Sequence, residues 1–147
     1  PDGRHFRCDV APHLHFVILV PDREIETDAS RVTLPSKIPF ADAVWNVAHA
    51  SLVTAAFASG SYELLRQSMN DRLHEPFRAA ANPHLQPAVQ AGVEAGALGG
   101  YLSGSGSAVA CITLGNPERV AQAMRGVLPS AAALILHADN TGTAVQH

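Results

Sequence analysis

A glycine- and serine-rich run, GGYLSGSGS over residues 99–107, is the clearest chemical pattern in the chain. Glycine permits positive φ angles that turn backbone N–H groups inward, and serine hydroxyls add donors, so such a loop can hold an anion. No lysine follows the glycines, which argues against a Walker A loop. A strand-like run follows instead of a helix, which argues against a dinucleotide-binding fingerprint. The spacing alone fits either an anion-binding loop or a hairpin that needs flexible turn residues.

Two arginines near predicted helix ends are candidate ligands for a carboxylate or phosphate. Arg31 follows Thr27 by four residues, which puts both on one face of a short helix, and Arg78 ends the run DRLHEPFR. Lys37 is the only lysine among the ten basic residues. A guanidinium can bind a carboxylate through two parallel hydrogen bonds, which lysine cannot do. Each arginine also fits a surface ion pair with a neighbouring acid.

Other titratable residues give weaker signals. His13 and His15 share one face of a strand-like run, a spacing found in zinc sites, but no third ligand lies in register with them. Cys111 lies in an apolar run and is predicted to be a core residue. The chain has no G-x-S-x-G motif and no Ser-His-Asp order. We therefore predict no metal site and assign no catalytic residue.

Length and composition limit the class of protein. The 147 residues fit one domain, and a net charge of −3 argues against binding to nucleic acid. No apolar run approaches the roughly 18–20 residues of a membrane span, and the first residues lack a signal-peptide core. Two cysteines do not make a disulfide framework. We predict a cytoplasmic protein without a nucleic-acid or membrane partner.

The remaining sequence supplies the elements that must position these residues. Strands are predicted over residues 13–20, on both sides of the glycine-rich loop within 97–114, over 131–138 and over 141–146. Helices are predicted over residues 27–34, 41–59, 61–77, 85–95 and 117–128, the third stopped by Pro76 and the last capped by Asn116. This order is that of the split βαβ, ferredoxin-like fold. We predict an α+β domain with an antiparallel sheet and helices on one face.

Three strings occur in a characteristic order: VPDREIETDASRVTLPSKIPFADAVWN, NDRLHEPFR and GALGGYLSGSGSAVACIT. Together they resemble the C-terminal half of the homoserine kinases, a branch of the GHMP kinase superfamily, from about His13 to the end of the chain. The resemblance implies one GHMP-kinase C-terminal-like domain over residues 1–147. Residues 1–12 would be a leader or the remnant of a linker from an absent N-terminal ATP-binding domain.

The resemblance also implies roles for the residues singled out above. In that family the T-x-x-x-R pair and the arginine that ends DRLHEPFR lie at the amino-acid pocket, and the glycine-rich loop lies near the transferred phosphoryl group. Asn46 matches a recurrent family asparagine to which we assign no contact, and Ser107 stands where the family usually has proline. The implied substrate-binding residues are Thr27, Arg31 and Arg78. The implied phosphate-adjacent residues are Gly100, Ser103, Gly104, Ser105 and Gly106.

The implied activity is transfer of the γ-phosphoryl group of ATP to the hydroxyl of L-homoserine in threonine biosynthesis, with Mg²⁺ assisting. The family binds ATP through a P-x-x-x-G-[LI]-G-S-[SG]-A loop, and no such string occurs here. We therefore expect a fragment that begins at Pro1, lacks its N-terminal domain and is inactive alone. The family is also compatible with a homodimer. Two alternatives stay open: a GHMP kinase for another small alcohol, and a ferredoxin-like amino-acid-binding or regulatory module without catalysis.

Overall fold

A computed structural model describes residues 6–23 and 25–142, without the side chains of Thr27 and Ala29. Its strands are β1 (His15–Val20), β2 (Gly99–Leu102), β3 (Val109–Thr113) and β4 (Ala132–His137). Its α-helices are α1 (Thr27–Val32), α2 (Phe40–Ser59), α3 (Leu65–Ser68), α4 (Glu75–Arg78), α5 (Leu85–Glu94) and α6 (Pro117–Val127). Short 3-10 helices span Tyr62–Leu64 and Ala79–Ala81.

The four strands form one antiparallel sheet in the order β2-β3-β1-β4. Strand β1 lies in the middle, where His15 is opposite both Thr113 and His137, and Leu19 is opposite both Val109 and Ala133. The β2–β3 hairpin carries the glycine-rich loop at its tip, so the loop emerges at one end of the sheet. This topology confirms the predicted ferredoxin-like, α+β fold.

Helices α5 and α6 cover one face of the sheet and bury the main core. Side chains on a strand alternate between the two faces, so every second residue of β1 and β3 points toward these helices. Gly100 lets α5 approach closely, because a Cβ there would lie 2.7 Å from Cys111 Sγ and 2.9 Å from Val89 Cγ2. Burial raises the pKa of the Cys111 thiol to about 12, as expected of a core cysteine. The large side chains of this core are Val17, Leu19, Leu85, Leu102, Val109, Val120 and Met124.

The chain between β1 and α5 adds a layer on the opposite face. The end of α2, the first 3-10 helix and α3 enclose a second buried cluster: Leu14, Ala56, Tyr62, Leu65, Leu98 and Ile112. Phe16 packs against it, whereas its neighbour Val17 faces the main core. On the same face, Leu134 and Leu136 of the edge strand β4 are 46% and 47% exposed. This second layer covers the opposite face only in part. The predicted helices on one face are therefore α5 and α6, and the prediction missed the helical layer on the other face.

Three predictions about individual elements are corrected or incomplete. The predicted helix over residues 61–77 is wrong, because it breaks after α3 and resumes only at α4, and Pro76 occupies the first turn of α4 instead of ending a helix. Asn116 precedes α6 with a left-handed φ of 51° and makes no side-chain capping bond. In the predicted strand over 141–146, Thr141 and Gly142 are not in a strand, and the remainder lies outside the described residues.

None of the described helices combines the length and apolar character that a membrane crossing requires. Within residues 6–23 and 25–142, no three His, Cys, Asp or Glu side chains gather where a metal ion could be held.

Candidate functional site

The glycine-rich loop after β2 is a tight turn closed by its own backbone. The Ser103 N–H donates to the Ala108 carbonyl at 2.9 Å, and the Gly106 N–H donates to the Ser103 carbonyl at 3.3 Å. Gly104 and Gly106 have φ angles of +64° and +99°, which side-chain-bearing residues rarely adopt. A Cβ on Gly106 would also lie 2.6 Å from the buried Asn82 Oδ1. The loop therefore requires glycine at Gly106 for both conformation and space.

Three segments form hydrogen bonds with this loop. The Ser30 hydroxyl on α1 donates to the Ser105 carbonyl at 3.0 Å. The His84 Nε2 before α5 lies 2.7 Å from the Ser107 carbonyl, and this pairing requires its proton on Nε2. The Ser107 hydroxyl in turn donates to the Arg23 carbonyl. These bonds attach the loop to segments remote from it in sequence.

Arg78 at the end of α4 contacts the loop through its guanidinium group. Its Nη1 donates to the Gly104 carbonyl at 3.2 Å and to His74 Nδ1 at 3.1 Å. Its Nε is buried and has no hydrogen-bond partner among the described residues. Leaving a buried charged donor unpaired costs more than the roughly 1–3 kcal/mol of a neutral group, so such a donor is typical of a site whose ligand supplies the acceptor. Arg78 therefore has the properties of an anion-binding residue.

The other predicted site residues do not all lie at the loop. Ser30, rather than Arg31, joins α1 to the loop, and the Arg31 side chain is 69% exposed with Nη1 3.4 Å from Asp28 Oδ1. The Thr27 side chain lies outside the described residues. Ser103, Gly104, Ser105 and Gly106 form the loop itself. Gly100 lies in β2 under α5, where it serves close packing.

The segment that leads to Arg78 is held by the carboxylate of Asp71. Its Oδ2 accepts the N–H groups of Leu73, His74 and Glu75 at 3.1, 2.7 and 2.7 Å, and its Oδ1 accepts Asn46 Nδ2 at 2.7 Å. Burial alone raises the pKa of Asp71, but these hydrogen bonds outweigh it and leave the pKa below the ordinary value. Asn46, which the sequence left without a contact, thus fixes this segment to α2.

A cavity of about 320 Å³ opens beside the same segment. Its floor is apolar and includes Phe16, Tyr101 and Ile112, and its rim includes Asn46, Asp71, His74 and Glu75. Burial raises the pKa of Glu75, whose Oε1 accepts the Leu102 N–H at 2.6 Å. Glu75 thereby ties α4 to the strand that enters the glycine-rich loop.

Comparison with known proteins decides the family. The sequence model of the GHMP kinases C terminal family matches residues 53–130, more than half of the chain. The chain belongs to this family. This match confirms the family membership that the three sequence strings of this GHMP kinase C-terminal domain predicted.

Curated relatives of this GHMP kinase domain include homoserine kinases. That of Aliarcobacter butzleri is 36% identical over 97% of this chain and 49% of its own length, and that of Aquifex aeolicus is 34% identical over 90% and 46%. The crystal structure of homoserine kinase from Cytophaga hutchinsonii superposes with a TM-score of 0.81 at 25% identity, covering 89% of this chain and 43% of that one. The chain spans about half the length of the curated relatives it matches.

Several residues of this GHMP kinase site were missed by sequence reasoning. Ser30, Asn82 and His84 contact the loop or lie against it across long sequence separations, and no local pattern indicates such contacts. A local signal did exist for Asp71, because aspartate side chains accept backbone N–H groups a few residues later and so compete with a continuous helix. The prediction of one continuous helix hid that signal.

The low pKa of Asp71 predicts an acid-sensitive contribution to stability. This contribution is complete above the unfolded-state pKa of about 3.9 and is lost as the pH falls through the lower folded-state pKa. We expect Asp71→Asn to lower the free energy of unfolding at about pH 7 and to have a smaller effect at about pH 3. Urea unfolding of the two proteins at both pH values measures this, with the exposed-site variant Asp28→Asn as control. An equal effect of Asp71→Asn at both pH values would contradict the assignment.

Proposed function

We propose that this chain is the C-terminal domain of a homoserine kinase, which transfers the γ-phosphoryl group of ATP to the hydroxyl of L-homoserine. One observation links the proposed function to this site. The guanidinium of Arg78 contacts the glycine-rich loop, and its buried Nε has no hydrogen-bond partner among the described residues. The alignment of 90–97% of the chain with curated homoserine kinases supports it independently. A permanently charged, planar donor group suits the carboxylate of an amino acid.

In this proposal Arg78 binds the substrate carboxylate, and Arg31 and Thr27 add contacts from α1. The bond from Ser30 to Ser105 supports their participation, because it attaches α1 to the loop that Arg78 also contacts. The guanidinium of Arg31 is exposed and only loosely paired with Asp28, so it is free to turn toward a ligand at little cost. The two arginines would then hold one carboxylate between α1 and α4.

The glycine-rich loop, in the same proposal, lies beside the phosphoryl group in transfer. The implied residues Ser103, Gly104, Ser105 and Gly106 form this loop. Arg78 binds the Gly104 carbonyl and Ser30 binds the Ser105 carbonyl, and these two bonds support the assignment because they hold the loop in one shape. Phosphoryl transfer depends mainly on positioning and charge neutralisation, so a fixed loop and an adjacent cation suit it. Gly100 contributes through the packing that sets the start of the loop.

ATP and Mg²⁺ are assigned to residues outside this chain. The family's nucleotide loop does not occur in the sequence, and no cluster of potential metal ligands occurs among the described residues. An N-terminal ATP-binding domain would supply both sites, in a cytoplasmic enzyme that can form a homodimer. Exposed apolar side chains on α1 and α2 support a docking domain: Val32 is 85% exposed, Phe40 84% and Val47 68%.

A chimaeric enzyme tests the proposal. This chain replaces the matching C-terminal part of the Aquifex aeolicus homoserine kinase, and formation of ADP is measured with ATP and L-homoserine. We expect homoserine-dependent turnover by the chimaera and none by this chain or by the Aquifex N-terminal half alone. If a folded chimaera phosphorylates only another small alcohol, that alcohol and not L-homoserine is the substrate. Amino-acid binding without turnover would favour a regulatory module and contradict the proposal.

A further inference from the structure

The contacts around Arg78 form a chain of bonds that begins on α2. Arg78 Nη1 can only donate, so His74 Nδ1 must accept its hydrogen bond, which requires a neutral imidazole with its proton on Nε2. That Nε2 lies 3.9 Å from Asp71 Oδ1. His74 therefore stands between the Asp71 carboxylate and the Arg78 guanidinium.

The backbone of the same segment is fixed by α2. Asn46 uses both ends of its amide, with Nδ2 donating to Asp71 Oδ1 at 2.7 Å and Oδ1 accepting the Arg72 N–H at 2.9 Å. The Arg72 guanidinium lies 3.8 Å from the centroid of the Trp45 ring and donates to Asp42 Oδ1 at 3.2 Å. The twenty-residue helix α2 thus holds Asp71 and Arg72, the two residues at which the segment begins.

We propose that His74 is a positioning residue for Arg78, and that Asn46 and Asp71 hold His74 in place so that the guanidinium keeps its Nε edge free for a carboxylate. His74 Nδ1 and the Gly104 carbonyl together engage Nη1, and two acceptors at one nitrogen fix the plane of the guanidinium. The role of Arg78 in substrate binding rests on the proposed function, whereas its orientation by His74 does not.

Kinetics of the chimaera test the positioning role. We expect His74→Ala to raise the KM for L-homoserine about tenfold or more, with KM for ATP and kcat nearly unchanged. His74→Asn should restore most of the loss, because its amide oxygen lies close to the position of Nδ1. Ser51→Ala, on the exposed side of α2, is the matched control.

A spectroscopic measurement on this chain separates the two proposals. In ¹⁵N–¹H spectra of the arginine side chains, the Arg78 signal is identified by its loss in Arg78→Lys. We expect the Arg78 signal to be separate from the signals of mobile arginine side chains in the unaltered chain. In His74→Ala and in Asn46→Ala it should overlap with them, because the guanidinium is no longer held in one orientation. An unchanged signal in folded His74→Ala would overturn the positioning role even if the chimaera were an active kinase. A changed signal with an inactive chimaera would leave the positioning role standing and reject the kinase.

Discussion

Arg78→Ala is expected to raise the KM for L-homoserine by at least about 30-fold in the chimaera, while KM for ATP changes little. Removing one partner of a desolvated charge pair typically costs about 2–5 kcal/mol, and about 1.4 kcal/mol corresponds to a factor of ten. Arg78→Lys should recover only part of the loss, because an ammonium group keeps the charge but lacks the planar pair of donors. Steady-state kinetics with each substrate varied in turn measure both effects.

The matched control for Arg78 is Arg125→Ala on α6, an exposed arginine in the last turn of a helix on the other face of the sheet. Both KM values should stay at the parent level in this variant. Equal increases in the KM for homoserine and for ATP in Arg78→Ala would contradict carboxylate binding. Such a result would indicate that Arg78 only stabilises the loop through Gly104.

Gly106→Ala is expected to destabilise the domain by about 2–5 kcal/mol. About 1–2 kcal/mol comes from forcing a side-chain-bearing residue into the left-handed region, and about 1–3 kcal/mol from crowding against Asn82 Oδ1. Gly104→Ala is the matched control, because Gly104 has a positive φ but no atom within 4 Å of its virtual Cβ. It should therefore show only the conformational cost of about 1–2 kcal/mol. Urea unfolding of this chain measures both changes.

The clash itself can be isolated with a second substitution. Asn82→Ala removes Oδ1 but also loses the bond from Asn82 Nδ2 to the Arg78 carbonyl, so it destabilises the chain alone. Adding Gly106→Ala to Asn82→Ala should then cost about as little as Gly104→Ala, a clear departure from additivity. Additive effects of the two substitutions would show that the loop avoids Asn82 by moving.

Much of the fold followed from local sequence. Pro12 and Pro21 bracket an apolar run that becomes β1, and the apolar spacing in residues 41–59 yields α2, which ends before Gly60 as expected. The strand–loop–strand pattern in residues 97–114 gives the β2–β3 hairpin. These elements depend on period, capping and turn residues, which short stretches of chain specify. Their order then limits the topology to few arrangements.

The site was harder to predict because distant residues complete it. The helical spacing in residues 61–77 was overridden where Asp71 captured backbone N–H groups, and the partner that fixes Asp71 is Asn46, 25 residues earlier. Likewise Ser30 meets Ser105 across 75 residues. Sequence motifs indicated Arg31 and Arg78 alike, but only Arg78 contacts the loop here, because the end of α4 directs it there and α1 presents Ser30 instead.

The most direct test of the central claim, that Arg78 anchors the carboxylate of homoserine, varies substrate and protein together. L-homoserine is compared with 3-aminopropan-1-ol, which keeps the amino and hydroxyl groups but lacks the carboxylate. The kcat/KM of the chimaera should favour homoserine by at least about 30-fold. Arg78→Ala should remove most of that preference and leave only the part that Arg31 contributes, since removing Arg78 and removing the carboxylate delete the same charge pair. A preference for homoserine that persists undiminished in Arg78→Ala would contradict the account.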